Sequence, residues 1–329
     1  MAASLQGAPM GLADRLTDRQ TATDVMMIRP VAFAGNPQTQ PSNAFQQLDS
    51  GQLDAANQAA ALREFEGLAR ALEQAGVTVH VFDDTPEPHT PDAIFPNNWV
   101  SFHADGTVVL YPMLAENRRL ERRVELIEEL SAKHGFHAAR LIDLTRHEHD
   151  GRYLEGTGSL VLDRIHHVAY ACVSPRTDLD VLGDFAQQLD YDIVAFEARD
   201  ANGAAIYHTN VLMSVGERFA AVCLSAIRED ERQGVFDQLR GTGRTVIDLS
   251  MDQMNAFAGN MLELGSSLSG SVVAMSARAR DVLTAEQRAT LESSAGPIVA
   301  AAIPTIEKLG GGSVRCMLAE LHLPKKKRL

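Results

Sequence analysis

The sequence predicts an α/β repeat of about five hairpin–helix units that closes around an axis. Three observations lead there. Four segments share one pattern, an apolar strand, a turn and a second apolar strand. Their starting points recur at roughly 50–60-residue intervals, the spacing of large repeats or propeller blades. Helical stretches lie between them. Closure removes exposed sheet edges, which is what favours it over the alternative, an ordinary mixed α/β sheet whose strands all look alike because all are apolar.

The first unit runs Asn98-Trp-Val-Ser-Phe102, turns at Asp105-Gly106 and returns as Thr107-Val-Val-Leu-Tyr111. Asp-Gly between alternating apolar runs is a strong hairpin signal. The second is Gly158-Ser-Leu-Val-Leu162, a turn near Asp163-Arg164, then Val168-Ala-Tyr-Ala-Cys-Val173. The third is Asn210-Val-Leu-Met-Ser214, a turn at Gly216-Glu-Arg218, then Phe219 to Leu224. The fourth is Asn260-Met-Leu-Glu-Leu264, a Gly/Ser-rich turn, then Ser271 to Met275. A fifth apolar strand begins at Cys316-Met-Leu-Ala-Glu320, with Val25-Met-Met-Ile28 as its candidate partner. Helices are predicted over Ala55–Gln74, stopped by Gly76, and over Asn117–His134, stopped by Gly135. Two more are expected over Thr177–Leu189 and Glu229–Leu239, and Thr284-Ala-Glu-Gln287 forms a capping box opening a last helical region that Pro297 and Pro304 interrupt.

Composition narrows the function classes. Of 329 residues, 45% are apolar and 22% charged, the balance of a globular protein. A net charge of −13 argues against nucleic acid as partner. The basic block Lys325-Lys-Lys-Arg328 reads as a solvated tail. No apolar run suggests a membrane span, and residues 1–23 read as a disordered tail without a secretory leader, preceding one catalytic domain over 24–329. Three cysteines do not make a disulfide framework and fit a reducing, cytoplasmic setting. His147-Glu-His149-Asp150 reads as a solvated polar loop rather than a metal site, and no cofactor or metal is expected.

The repeat carries a geometric consequence. The residue opening the first strand of each unit should sit near the axis, and those positions hold Asn98, Gly158, Asn210, Asn260 and Cys316. Glu155 and His208 lie just upstream in their own units. A thiol, an imidazole, a carboxylate and carboxamides would thus converge on one cleft, the set needed for thiolate nucleophilic catalysis. Singly, each has a bland reading: a histidine beside a strand is usually structural, and the run Gly310-Gly-Gly312 before Cys316 would suit a plain surface turn. Cys172 and Cys223, inside apolar strands, read as core residues.

The motifs Phe95-Pro-Asn-Asn98, Glu155-Gly-Thr-Gly158, Ser174-Pro-Arg-Thr177, His208-Thr-Asn210 and Gly312-Ser-Val-Arg-Cys316 resemble, in order and spacing, those of the guanidino-group-modifying superfamily of arginine deiminases, dimethylarginine hydrolases and amidinotransferases. Met27 to Phe33 and Asn43-Ala-Phe-Gln46 look closest to its citrulline-utilisation hydrolase branch. The resemblance implies a five-bladed α/β-propeller, the pentein fold. It implies Cys316 as nucleophile, His208 as general acid/base and Glu155 as the carboxylate orienting the imidazole or substrate. It further implies Arg118 and Arg176 as grips on the substrate carboxylate, with Arg119 as the alternative to Arg118, and Asp92, Asn36 and Asn43 at the α-amino end. Homo-oligomerisation is left open.

Two positions depart from the arginine deiminase pattern, where aspartates hold a guanidinium cation. Here they are Asn98 (or its neighbour Asn97) and Asn210. A carboxamide both donates and accepts, which suits a neutral ureido group better than a cation made of N–H donors. The sequence therefore points to a small amino-acid substrate, citrulline, cleaved to ornithine, carbon dioxide and ammonia. The alternatives are a guanidino substrate, arginine or methylarginine, hydrolysed or transferred, and a non-catalytic pentein that uses the fold for binding.

Overall fold

The computed structural model describes residues 18–47 and 53–326. Five three-stranded sheets share one arrangement, an antiparallel pair and a third strand parallel to its second member, and in four of them the pair is a hairpin followed by a helical crossover. The sheets comprise Val100–Phe102, Thr107–Leu110 and Arg140–Asp143; Val161–Asp163, Val168–Cys172 and Asp192–Phe196; Met213–Val215, Phe219–Val222 and Thr245–Asp248; and Leu262–Ser266, Gly270–Ser276 and Ile298–Ala301. In the fifth, the late strand Ala319–Glu320 pairs antiparallel with Asp24–Arg29 (Val25 opposite Glu320), and Thr78–Asp83 pairs parallel on the other side. The two ends of the chain thus share one sheet, and the five-bladed α/β-propeller expected from the repeat is formed.

Burial explains which strands the sequence advertised. The hairpin strands are continuous apolar runs buried on both faces, as in Val168–Cys172 and Phe219–Val222. The third strands, absent from the sequence reading, lie outermost and mix exposed and buried positions in short segments such as Arg-Leu-Ile-Asp143. Each needs a helix to reach its parallel partner. The helix Ala55–Gln74 buries Ala61, Phe65, Leu68, Ala69 and Leu72 along one face, and its N-terminus is capped by Asp54 accepting from the Asn57 backbone N–H.

Several expectations need correction. The helix expected over 117–134 is two, Glu116–Arg119 and Glu125–His134. Between them Glu121 turns inward to Arg118, while Arg122 reaches Glu148 and Arg123 the Asp83 carbonyl, so side chains tied in different directions break the helical path. The last helical region contains a strand, Ile298–Ala301, between Ala285–Ala295 and Pro304–Gly310. The capping box at Thr284 and Gln287 is present. The tail expected over 1–23 is packed at its end: Gln20 donates to the Leu162 and Val215 carbonyls and accepts from the Arg164 N–H, satisfying groups of two inner strands. Residues 1–17 lie outside the described residues. Lys325 is no free tail residue, since its ammonium meets Asp24 at 2.8 Å and the Phe136 ring at 5.0 Å; Lys327 and Arg328 lie outside the described residues. The 147–150 segment is a helical turn in which Glu148 binds Arg122 and His147 binds Asp184.

Candidate active site

The residues expected at strand starts sit one turn earlier. Asn98 ends the 3₁₀ turn Pro96–Asn98, Gly158 lies in Gly156–Ser159, Asn210 in Thr209–Leu212, and Cys316 in Val314–Met317. Each short turn precedes the innermost strand of its blade, and neighbouring turns contact one another across the axis. The repeat therefore delivers polar side chains from successive blades to the same place, where a single sheet would spread them along an edge.

The cleft is lined by Asn43, Asp92, Asn98, Arg118, Arg176, His208 and Cys316, with Thr39, Phe95, Tyr207 and the Gly310-Gly-Gly312 backbone. Glu155 and Asn210 stand directly behind this lining. Of the alternatives left by the sequence, Asn98 lines the cleft and Asn97 does not; Arg119 turns away to the Met113 carbonyl. Asn36 is buried behind Asp92, donating to its Oδ2 at 2.7 Å.

Two carboxamides aim N–H groups at the sulfur. Asn260 Nδ2 lies 3.3 Å and Asn210 Nδ2 3.5 Å from Cys316 Sγ. Donors in that position can meet negative charge as it develops on the sulfur. Asn260 is itself fixed, because its Oδ1 accepts the Arg315 N–H at 3.0 Å. The other cysteines are unsuited to reaction. Burial pushes the Cys172 thiol up to about 12 and raises that of Cys223 as well.

On the facing wall, His208 Nε2 meets Glu155 Oε2 at 2.8 Å. Burial alone would raise the Glu155 carboxyl, but Arg176, His208 and Arg118 hold it well below the usual carboxylate range. Burial also lowers His208 to about 4, against the pull of Glu155. An ionised Glu155 beside a neutral imidazole places the proton on Nε2 and leaves a lone pair on Nδ1. Gly158 makes room for that nitrogen: a Cβ there would stand 2.7 Å from His208 Nδ1 and 2.3 Å from Asn98 Nδ2.

Both arginines are engaged by protein groups. Arg176 donates to Ser42 Oγ, the Thr39 carbonyl and Glu155 Oε2, and lies 5.0 Å over the Tyr207 ring. It thereby holds the 36–46 segment across the cleft. Arg118 makes a two-bond pair with Glu121, both at 2.9 Å, and donates to Asn98 Oδ1. Glu121, Ser42, Thr39 and Tyr207 were not singled out by the sequence. Glu121 sits three residues after Arg118 in what reads as a solvated helix, and only its burial marks it out.

The glycine run has a packing reason. Side chains at Gly310 or Gly312 would run into the Phe95 ring, and Gly311 combines a φ of +63° with a Cβ position 2.5 Å from Asn43 Nδ2. The Gly311 carbonyl accepts from Tyr207 Oη and Asn43 Nδ2. The loop before Cys316 is thus clamped, with the chain drawn close to both walls.

Among the described residues no group of three or more His, Cys, Asp or Glu is arranged to hold a metal ion, and no helix is long and apolar enough to cross a membrane.

Comparison with known proteins places this geometry in a family. The sequence profile described as "N,N dimethylarginine dimethylhydrolase, eukaryotic" matches residues 29–323. Among curated protein sequences no significant match is found. The fold is similar to that of ArgZ, an arginine dihydrolase from the ornithine–ammonia cycle in cyanobacteria, with a TM-score of 0.70 at 15% identity over 92% of this chain and 41% of that one. A mutant of AgrE in binary complex with L-arginine gives 0.71 at 16% identity over 93% of this chain and 41% of AgrE. A mutant of DDAH from Pseudomonas aeruginosa complexed with citrulline gives 0.63 at 14% identity, over 92% of this chain and 100% of that one. The chain thus spans under half the length of ArgZ and AgrE but the whole of the bacterial DDAH. The chain belongs to the dimethylarginine dimethylhydrolase family and has the pentein fold of the guanidino-modifying superfamily.

Proposed function

We propose that this member of the dimethylarginine dimethylhydrolase family is a cysteine hydrolase that cleaves the ureido C–N bond of L-citrulline, the reaction of the citrulline-utilisation branch. The observation that carries the reading is the polarity of the groups around Cys316. Asn98, Asn210 and Asn260 surround the reacting position with carboxamides; Glu155 is committed to His208 and Arg176, and Asp92, the carboxylate that lines the cleft, is engaged by Asn36, Thr39 and Arg118. A neutral group with one acceptor and one donor fits this wall, whereas a guanidinium would lack a charged acceptor.

The chemistry follows from the positions. On substrate binding the Cys316 proton passes to His208 Nδ1, the nitrogen that Glu155 leaves free. The thiolate attacks the ureido carbon, and the imidazolium returns the proton to the departing δ-nitrogen, releasing ornithine and an S-carbamoyl enzyme. His208 then deprotonates a water that attacks the same carbon; the thiolate leaves, and the carbamate breaks down to carbon dioxide and ammonia. Asp92, whose Oδ1 has no hydrogen-bond partner and whose carboxyl burial raises, is placed for the α-amino group. The substrate carboxylate is assigned to Arg176, with Ser42 and the Thr39 carbonyl giving way; Arg118, expected to share that grip, is committed to Glu121 and Asn98. A thiol that must stay reduced fits a cytoplasmic enzyme.

The family description favours the second reading, in which a guanidino compound, methylated arginine or arginine, is hydrolysed by the same nucleophile. Purified protein given citrulline, arginine and dimethylarginine separates them, with Cys316→Ala as control. Ornithine from citrulline is the expected product. Citrulline formed from arginine or dimethylarginine, with no ornithine from citrulline, would establish the second reading.

A further inference from the structure

We infer that Arg118 and Glu121 set the selectivity of the cleft by fixing which face of the Asn98 carboxamide a ligand meets; this rests on the hydrolase reading above and specifies how that site tells a ureido group from a guanidinium. Asparagine alone is ambiguous, because turning its amide over exchanges donor for acceptor. Here the turn is blocked. Arg118 Nη1 lies 2.9 Å from Asn98 Oδ1, and a guanidinium has donors only, so oxygen must face it whatever the amide's isolated preference.

Arg118 in turn has little freedom. Its Nε and Nη2 are paired with the two carboxylate oxygens of Glu121, Nη2 also lies 3.4 Å from the Phe95 carbonyl, and Asp92 sits 3.7 Å from Nε. Such two-point pairing fixes the plane of the guanidinium. The consequence appears at the far end of the chain of contacts: Asn98 Nδ2 is buried without a hydrogen-bond partner, close to Gly158 and the His208 ring. Asn210 is held the opposite way, its Nδ2 on the sulfur and its Oδ1 without a partner. A ligand at Cys316 thus meets a fixed donor from Asn98 and an acceptor from Asn210. A ureido group answers both; a guanidinium would set N–H against N–H at Asn98. Glu121 and Arg118 act here as positioning residues.

The test uses two alkylating probes of Cys316, chloroacetamide, which carries a C=O and an NH₂, and chloroacetamidine, a cation with N–H donors only. In each case the thiolate displaces chloride from the CH₂ carbon. Rates on the full chain, followed by mass spectrometry and each divided by the rate with glutathione, give an amide-to-amidine ratio. A wild-type ratio above one is expected, falling at least tenfold in Glu121→Leu, where Arg118 loses its clamp, and inverting in Asn98→Asp, which offers an acceptor in every orientation. A folded Glu121→Leu with an unchanged ratio overturns the role of the clamp. Should that variant fail to fold, an unchanged ratio in the near-isosteric Asn98→Asp overturns the proposal instead. Equal slowing of both probes marks a merely structural effect and also overturns it. Ornithine release from citrulline, measured alongside, tests the hydrolase reading by itself: amide preference without ornithine retains the polarity device and removes the reaction.

Discussion

Glu155 accepts the Nε2–H of His208 at 2.8 Å, and this one bond decides which imidazole nitrogen faces chemistry. The carboxylate is buried with Arg176 and Arg118 beside it, so it stays ionised where a lone buried carboxyl would not. Nδ1 is left with its lone pair free, next to the position where Gly158 lacks a side chain.

A pH dependence of stability follows. Above the ordinary histidine value of about 6.5, His208 is neutral in both folded and unfolded chains. Folding lowers it to about 4, so between these values the unfolded chain binds a proton that the folded one refuses. The His208 contribution to stability is therefore complete above pH ~6.5 and falls by on the order of 3 kcal/mol as pH drops toward 4. The depressed Glu155 carboxyl acts in the same direction below its ordinary range. In thermal melts across pH 4–8, the melting temperature of His208→Gln should fall less on acidification than that of the wild type. An equal fall in wild type and variant would contradict the assignment.

Thiol reactivity is expected to be confined to one cysteine. Cys172, inside a buried strand, and Cys223, just after one, are held as thiols by burial, while Cys316 opens onto the cleft and receives two carboxamide N–H groups. Iodoacetamide at neutral pH should modify Cys316 with little labelling of the other two, as read by peptide mass mapping. Asn260→Ala should slow that modification about tenfold by removing one donor, roughly the worth of a single hydrogen bond to a charged group. Equal labelling of all three cysteines would deny the sulfur any special environment.

The sequence exposed the hairpins because their strands are buried on both faces and read as unbroken apolar runs; it exposed Cys316 because it opens a strand of the repeat, His208 and Glu155 because they lie just upstream of such positions, and all three because they fall in motifs resembling those of a known superfamily. It concealed the third strands, whose short mixed segments such as Thr245–Asp248 resemble loop borders. It also concealed Glu121, since a charged residue three positions after an arginine looks like a surface pair until tertiary packing buries both. Ser42 and Thr39 carry no signal of their own. They matter through contacts with Arg176, 134 and 137 residues away, which no local pattern encodes.

Arg176 gives a test of the segment over the cleft. Its fork reaches Ser42 and the Thr39 carbonyl from one side and Glu155 from the other, with Tyr207 beneath the guanidinium. Lysine keeps the charge but cannot span these acceptors. Arg176→Lys is expected to raise KM at least tenfold and to lower kcat less, because the loss falls on substrate and segment positioning rather than on the nucleophile. A purely kcat effect would place Arg176 in the chemical step instead.

Gly158 offers the sharpest separation of site from scaffold. Its backbone is unstrained, so alanine there has no conformational penalty of the left-handed kind. The added methyl would nonetheless stand 2.3 Å from Asn98 Nδ2 and 2.7 Å from His208 Nδ1, two groups fixed by Arg118 and Glu155. Since neither can retreat without breaking a buried charge-assisted bond, one wall of the cleft must shift. Overpacking of this kind costs about 1–3 kcal/mol, which a five-bladed fold of this size should survive. Activity, however, depends on the imidazole lying within hydrogen-bond reach of the reacting atoms, and a displacement of about 1 Å costs on the order of 100-fold in rate. Gly158→Ala should thus remain folded by circular dichroism, keep its Cys316 alkylable, and lose at least 100-fold in kcat. Full activity in that variant would mean that His208 does not work from the position its bond to Glu155 imposes.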